Sequence, residues 1–338
     1  MTLQVDNEKI KSIIEIQKPK RVAFNAPEGL MKLTRDVARH LEEDYPGLES
    51  IVIADTTYGS CDTVDIDAER LGADVAFHLG HNVTVPKFGK LTYAIDVTDD
   101  VNFGPVIELA ARKFQEDGIK KVGIVTFAQY VHQVLSAAKL FEEHGVATVI
   151  GKGMGQLHDG QIFGCEFYPA YNIRDKVDAM VLLGQSMFHA LGLALSTSKR
   201  TFILDPYSNE IIDVSETAHQ RLKRAILSVY KAKEAEKFGV IIGLKEGQIM
   251  VDQSVRIRDR LEKAGKTVQL LALREITSER LDSLTDIEAF VQTGCPRISV
   301  DGYTFSKPVL SVPQTEALFE LLSGKEIETD ILVRKHWL

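Results

Sequence analysis

Residues 238–272 read FGVIIGLKEGQIMVDQSVRIRDRLEKAGKTVQLLA. The stretch opens on a β-rich run, Phe238–Leu244, and passes through a helical segment over Gln253–Ala264. It closes that helix with Glu262-Lys263-Ala264-Gly265 and enters a second β-rich run, Thr267–Ala272. A glycine just past the last helical residue is the stop a helix needs, because it takes the left-handed backbone without steric cost. Strand, helix, glycine, strand is the repeating step of a parallel α/β sheet. Two further runs, Ile287–Gln292 and Pro308–Ser311, complete this region.

The same step occurs twice upstream. The first region carries Arg21–Ala26, a helix from near Gly29 to about Asp44 closed by Glu42-Glu43 and Gly47, then Ser50–Thr56, Ala73–Leu79 and Leu91–Asp96. The second carries Lys121–Phe127, a helix over His132–His144 closed by Glu142-Glu143-His144-Gly145, then Ala147–Lys152, Ala179–Leu183 and Thr201–Leu204. The repeated punctuation predicts an internal triplication: an α/β protein of three similar repeated domains with parallel-rich sheets, over 1–100, 101–213 and 214–338. The joints fall near Thr98–Gly104 and Asp213–Glu216. Neither is long or low in complexity, so the domains are expected to pack closely.

Each region holds one cysteine beside a glycine: Gly59-Ser60-Cys61, Gly164-Cys165 and Gly294-Cys295. They lie more than about 100 residues apart, near a typical domain length. Metal motifs usually place two ligands within a few residues, so this layout implies one central site built by three domains. Three thiolates on a four-iron cluster would leave one iron open to a substrate. Ligands of open α/β sheets bind at the carboxyl ends of strands, where these cysteines fall. Two alternatives stay open at this level: three unconnected buried cysteines, and a zinc ion completed by His78 or His81.

Composition narrows the class. The chain has 338 residues, 44% hydrophobic and 26% charged, with a net charge of −8. Its isoelectric point near 5.7 argues against a general nucleic-acid surface. Lys231-Ala232-Lys233 is interleaved with Glu234 and Glu236 and reads as a solvated helix face. No uncharged apolar run is long enough to span a membrane. Met1–Asp6 lacks a basic-then-apolar leader, and three cysteines do not make a secreted disulfide framework. The expected compartment is the cytoplasm.

Several strand ends are more polar than packing requires. Asn25-Ala26-Pro27-Glu28-Gly29 opens a helix whose free N–H groups suit an anion. Gly184-Gln185-Ser186-Met187-Phe188-His189 repeats the arrangement, and Leu204-Asp205-Pro206-Tyr207 ends the next strand. Helix capping and turn chemistry compete with binding at each. Gly151-Lys152-Gly153-Met154-Gly155 lacks the Gly-Lys-Ser/Thr ending of a phosphate loop.

These segments resemble the archaeal diphthamide biosynthesis family of 2-(3-amino-3-carboxypropyl)histidine synthases. The resemblance rests on Asp55–Cys61 with Phe77-His78-Leu79-Gly80-His81, on Gly160–Cys165, and on Val291–Arg297. Phe24–Leu30 and Asp205–Ser208 add to it, and the likeness covers about residues 20–312. It implies that Cys61, Cys165 and Cys295 hold one [4Fe-4S] cluster whose open iron binds S-adenosylmethionine. It implies a radical transferase that moves the 3-amino-3-carboxypropyl group to C2 of a histidine on translation elongation factor 2. Methylthioadenosine is released, and the protein is usually a homodimer served by an electron donor. Pro27, Glu28, Gly29, Tyr58, Gly59, Gln185, Ser186, His189 and Asp205 are the expected S-adenosylmethionine contacts. The chain departs from the family pattern at Gln185 and Ala190, where many relatives carry Asp and Pro.

Two rivals accompany this reading. Quinolinate synthase also places one cysteine per domain on one cluster, but Gln292–Arg297 favours the histidine-modifying family. A non-catalytic, cluster-bearing partner subunit is the other. The tail Arg334-Lys335-His336-Trp337-Leu338 is consistent either with a docking or dimer contact or with a frayed end.

Overall fold

The computed structural model describes residues 3–81, 83–84, 88–301 and 305–338. Three sheets share one strand order. In the first, Glu49–Val52, Arg21–Asn25, Val75–Leu79 and Thr92–Ile95 lie side by side, all parallel. In the third, Thr267–Leu273, Lys237–Gly243, Ala289–Gln292 and Val309–Leu310 repeat that order, again all parallel. The second follows it with Ala147–Val149, Lys121–Thr126, Ala179–Leu183 and Thr201–Asp205, then adds an antiparallel edge strand, Glu210–Asp213. The first strand of each region is thus central, flanked by the second and third. Its alternating residues are buried on both faces, which is why these runs are continuously apolar.

The helix-closing glycines behave as their positions demand. Gly145 and Gly265 take φ of +79° and +86°, the left-handed backbone open to glycine. The expected strand Ser50–Thr56 ends early at Val52, because the chain leaves the sheet after Ile53 to build the Cys61 loop. The helix expected from Gly29 begins as a 3-10 turn, Glu28–Leu30, and becomes α-helical over Met31–Asp44. The helix expected over His132–His144 likewise follows a 3-10 turn, Ala128–Gln133, and runs Val134–Glu143.

Ser215–Lys233 is a 19-residue helix that starts at the second expected joint. It packs on Met187–Thr197 and on Val312–Leu322, so the second and third sheets share one continuous core. Lys231 and Lys233 are exposed at its end, as a solvated face should be. At the amino terminus, Leu3–Val5 pairs antiparallel with Val97–Asp99. Among the described residues no helix is long and apolar enough to cross a membrane.

Candidate cluster centre

The three cysteines sit on loops that leave the carboxyl ends of the three sheets. Cys61 lies in a turn closed by Asp62 N–H to Gly59 C=O at 3.0 Å. Its own carbonyl accepts the N–H of Gly247 at 2.8 Å, and its Sγ accepts Gln248 Nε2–H at 3.4 Å. A Cβ on Gly247 would stand 2.6 Å from Cys61 Cα, so only glycine lets the third region's turn lie this close. The Cys165 loop is pinned to the second sheet by paired backbone bonds between Thr126 and the Gly160–Ile162 segment. Gly164 is pressed against the Phe188 ring, with no room for a side chain. Cys295 follows Ala289–Gln292 directly, and its carbonyl accepts Gln292 Nε2–H at 2.9 Å.

The thiols are free and lie within electrostatic reach of one another. Burial pushes the Cys165 thiol far up, and the neighbouring Cys61 and Cys295 push it further. Burial, then Cys61, lifts Cys295 to about 11. Cys61 is also raised by burial, against the opposing hydrogen bond from Gln248. Three thiolates cannot coexist in this setting without a compensating cation. Among the described residues, however, no group of three or more His, Cys, Asp or Glu side chains is placed to hold a single metal ion. Three soft thiol donors within electrostatic reach of one another are the donor set an iron–sulfur cluster takes.

Arg297 supplies a fixed positive charge beside the thiols. Sequence reading quoted it only as part of a motif. It is 2% exposed, bonded through Nη2 to Asp301 at 2.7 Å and through Nη1 to the Gly164 carbonyl at 3.4 Å. Its guanidinium lies 3.7 Å from the centre of the Phe188 ring. Its charge favours the thiolate form of both Cys165 and Cys295. Among the described residues, two buried polar atoms flanking Cys295, Arg297 Nε and Gln292 Oε1, have no hydrogen-bond partner. An orphaned donor on a buried cation beside three thiols suits an anionic occupant.

A second device locks the first region to the third. Lys245, 6% exposed, donates to the Asp62 carboxylate at 2.6 Å and to the Thr56 carbonyl at 3.1 Å, and pairs with Glu275 at 3.2 Å. Burial works against its charge, but the bond and charge of Asp62 outweigh it and raise the lysine above its ordinary value. Asp62 adjoins Cys61, so this pair fixes the loop that carries the first thiol.

The expected cofactor-contacting residues divide by what already occupies them. Gly29 faces open space. Glu28 is exposed and accepts Thr56 Oγ1–H at 3.1 Å, while Pro27 lies 3.7 Å from where a Gly80 Cβ would be. Gly59 lies against Cys61 Sγ, at 3.7 Å from its Cβ position. Tyr58 is half exposed, its hydroxyl bonded to Glu275 at 3.3 Å. Gln185 is exposed and accepts Tyr130 Oη–H at 3.2 Å. Ser186 caps the helix Met187–Thr197 and holds His189 Nδ1 at 2.8 Å. His189 stacks on Phe127 at 4.9 Å, and burial, then the charges of Arg297 and His81, drops it to about 3. The Asp205 carboxylate is engaged in turn chemistry, accepting the N–H groups of Tyr207 at 2.8 Å and Ser208 at 3.4 Å.

The carboxy-terminal tail packs against the second region through Trp337 and His336, while Arg334, Lys335 and Leu338 are exposed. Trp337 is 1% exposed and packs on Phe167, with ring centres 5.3 Å apart. Its N–H donates to the Cys165 carbonyl at 3.1 Å, and His336 pairs with Glu166.

Comparison with known proteins agrees with this geometry. Residues 26–329 match the family model for diphthamide synthesis proteins. The 2-(3-amino-3-carboxypropyl)histidine synthase of Pyrococcus horikoshii is 31% identical over 91% of this chain and 88% of its own. Subunit 1 of the Schizosaccharomyces pombe enzyme of that name is 29% identical over 93% of this chain and 73% of its own. The crystal structure of Dph2 from Pyrococcus horikoshii with a 4Fe-4S cluster superposes with a TM-score of 0.83 at 28% identity, covering 96% of this chain and 93% of that one.

Proposed function

The chain belongs to the diphthamide synthesis protein family, and from that membership we propose that it is a 2-(3-amino-3-carboxypropyl)histidine synthase. In this reading it transfers the 3-amino-3-carboxypropyl group of S-adenosylmethionine to C2 of a histidine on translation elongation factor 2, by a radical route. The observation that carries the proposal is that Cys61, Cys165 and Cys295, one from each repeat, are half-buried and lie within electrostatic reach of one another.

Cys61, Cys165 and Cys295 would hold a [4Fe-4S] cluster, which supplies a reducing electron and an open iron for the methionine amino and carboxylate groups. The chain's own residues do the positioning. Gln248 orients the Cys61 sulfur, Trp337 steadies the Cys165 loop and Gln292 the Cys295 loop. Arg297 stabilises negative charge without exchanging a proton. Phe127, Phe188 and His189 form an aromatic wall suited to a sulfonium and a purine. Geometry then selects which carbon–sulfur bond breaks. The reading carries a large protein partner, an electron donor, a homodimer and a cytoplasmic setting with it.

The test is an anaerobic reaction of the reduced, cluster-loaded protein with S-adenosylmethionine and elongation factor 2. Methylthioadenosine and a modified histidine are expected. Mainly 5′-deoxyadenosine, or an unmodified factor, would overturn the proposal.

A further inference from the structure

Asn25, His78 and His81 form a hydrogen-bonded chain whose proton positions can be read from its anchored end. Asn25 Nδ2 donates to the Asp62 carbonyl at 3.1 Å, which fixes that end of the amide as nitrogen. The opposite end, Oδ1, faces His78 Nδ1 at 3.0 Å. An amide oxygen only accepts, so His78 carries a proton on Nδ1. His78 is fully buried, and burial, with His81 beside it, keeps the ring neutral. Its Nε2 is therefore a lone pair, 2.6 Å from His81 Nδ1. His81 must donate from Nδ1, and a neutral His81 then has its own lone pair on Nε2. Among the described residues that nitrogen has no hydrogen-bond partner. The chain ends in an unengaged base.

Electrostatic contacts link it to the centre. His81 is half-buried and lies within electrostatic reach of His189, which also feels Arg297. Arg297 in turn touches the Cys165 loop. The anchor of the relay, the Asp62 carbonyl, is on the residue after Cys61. Both ends of the relay are thus tied to the thiol site.

We propose that His81 is the base that removes the C2 proton of the substrate imidazole, with His78 and Asn25 as positioning residues. The assignment rests on the transfer reading above. In that reaction the carbon–sulfur bond of the sulfonium breaks and a carbon–carbon bond forms at C2. The C2–H bond breaks, the sulfur leaves as a neutral thioether, and the hydrogen leaves as a proton. The electron that opens the carbon–sulfur bond is given back when the C2 adduct regains aromaticity, so over the whole reaction none is gained or lost and one proton is released. His81 Nε2 accepts it, and the Nδ1–H···Nε2 bond to His78 spreads the charge over two rings. Burial holds His81 down at about 4, so the imidazole is neutral across the physiological range and passes an accepted proton on rather than keeping it.

Two measurements test this. In cluster-free protein labelled with 15N-histidine, the spectrum should show both His78 and His81 as Nδ1–H tautomers. A His81 found as Nε2–H overturns the assignment, and this arm needs no variant. In the anaerobic reaction, His81→Gln should still release methylthioadenosine within about twofold of wild type, while histidine modification falls about 100-fold, the scale of one general base. His78→Gln should give the same split more weakly. Transfer retained by His81→Gln, or loss of both products in that variant with its cluster intact, overturns the assignment. A wild type that forms neither product overturns the transfer reading and this assignment with it. Failure of the relay alone differs, because wild type and His81→Gln would then both transfer.

Discussion

The backbone N–H of Trp337, the penultimate residue, donates to the carbonyl oxygen of Cys165 at 3.1 Å. The Phe167 N–H reaches back to the Lys335 carbonyl at 2.8 Å, and Glu166 and His336 form an antiparallel bridge. The end of the chain is therefore the back wall of the loop that carries the second thiol. Trp337→Ala should cost about 3–5 kcal/mol, the range for truncating a buried aromatic, and should lower iron content after reconstitution. Trp337→Phe should recover most of both. Urea denaturation and iron counting check this; unchanged stability and iron after deletion of 334–338 would contradict it.

Lys245 and Asp62 make a similar joint beneath the first thiol. Lys245→Met leaves Asp62 buried without its cation, and breaking such a pair costs about 3–5 kcal/mol. The loss should depend on pH with a defined sign. Burial raises the Asp62 carboxyl, opposed by Lys245. With the lysine gone, the unfolded chain ionises Asp62 more readily than the folded one, so the penalty is full at neutral pH and lifts as pH falls and the carboxyl protonates. Stability curves for wild type and variant at neutral and acidic pH should converge toward acid. A constant difference would show that Lys245 acts by packing alone.

Gly247→Ala introduces a methyl at 2.6 Å from Cys61 Cα, against backbone that cannot rotate away. The two loops must separate, at about 1–3 kcal/mol for overpacking. Iron uptake should fall further than stability does, since Gln248 and Cys61 move apart with the loops. Gly265→Ala serves as a contrast: its Cβ meets nothing within 4 Å, and only its φ of +86° is strained. It should lose stability and keep its iron. Equal iron loss in both variants would contradict the assignment of Gly247.

The parts legible in the sequence are those written locally. Gly145 and Gly265 mark helix ends because backbone conformation demands glycine there. The three cysteines show themselves because one stands in each repeat a residue or two after a glycine, and Cys295 directly follows a strand. What stayed hidden is set by topology. Lys245 meets Asp62, and Gln248 meets Cys61 Sγ, only because the loops that follow the strands of the first and third sheets meet. The helix Met187–Thr197 is buried at every residue from Ala190 to Thr197, so it shows no polar face to read. His78 and His81 stand out in the sequence as candidate zinc ligands, but their proton order depends on Asn25, over 50 residues away. The tail carried no periodicity that could reveal its contact with Cys165.

The account turns on three cysteines sharing one cluster, and the most direct measurement is metal content after anaerobic reconstitution with iron and sulfide. Wild type should bind about four iron and four sulfide per chain, as one [4Fe-4S] cluster requires. Cys61→Ala, Cys165→Ala and Cys295→Ala should each lose most of it while keeping the fold, since removing one half-buried sulfur changes little packed volume. A single tightly held metal ion in wild type, or any one cysteine variant retaining a full cluster, would contradict the account.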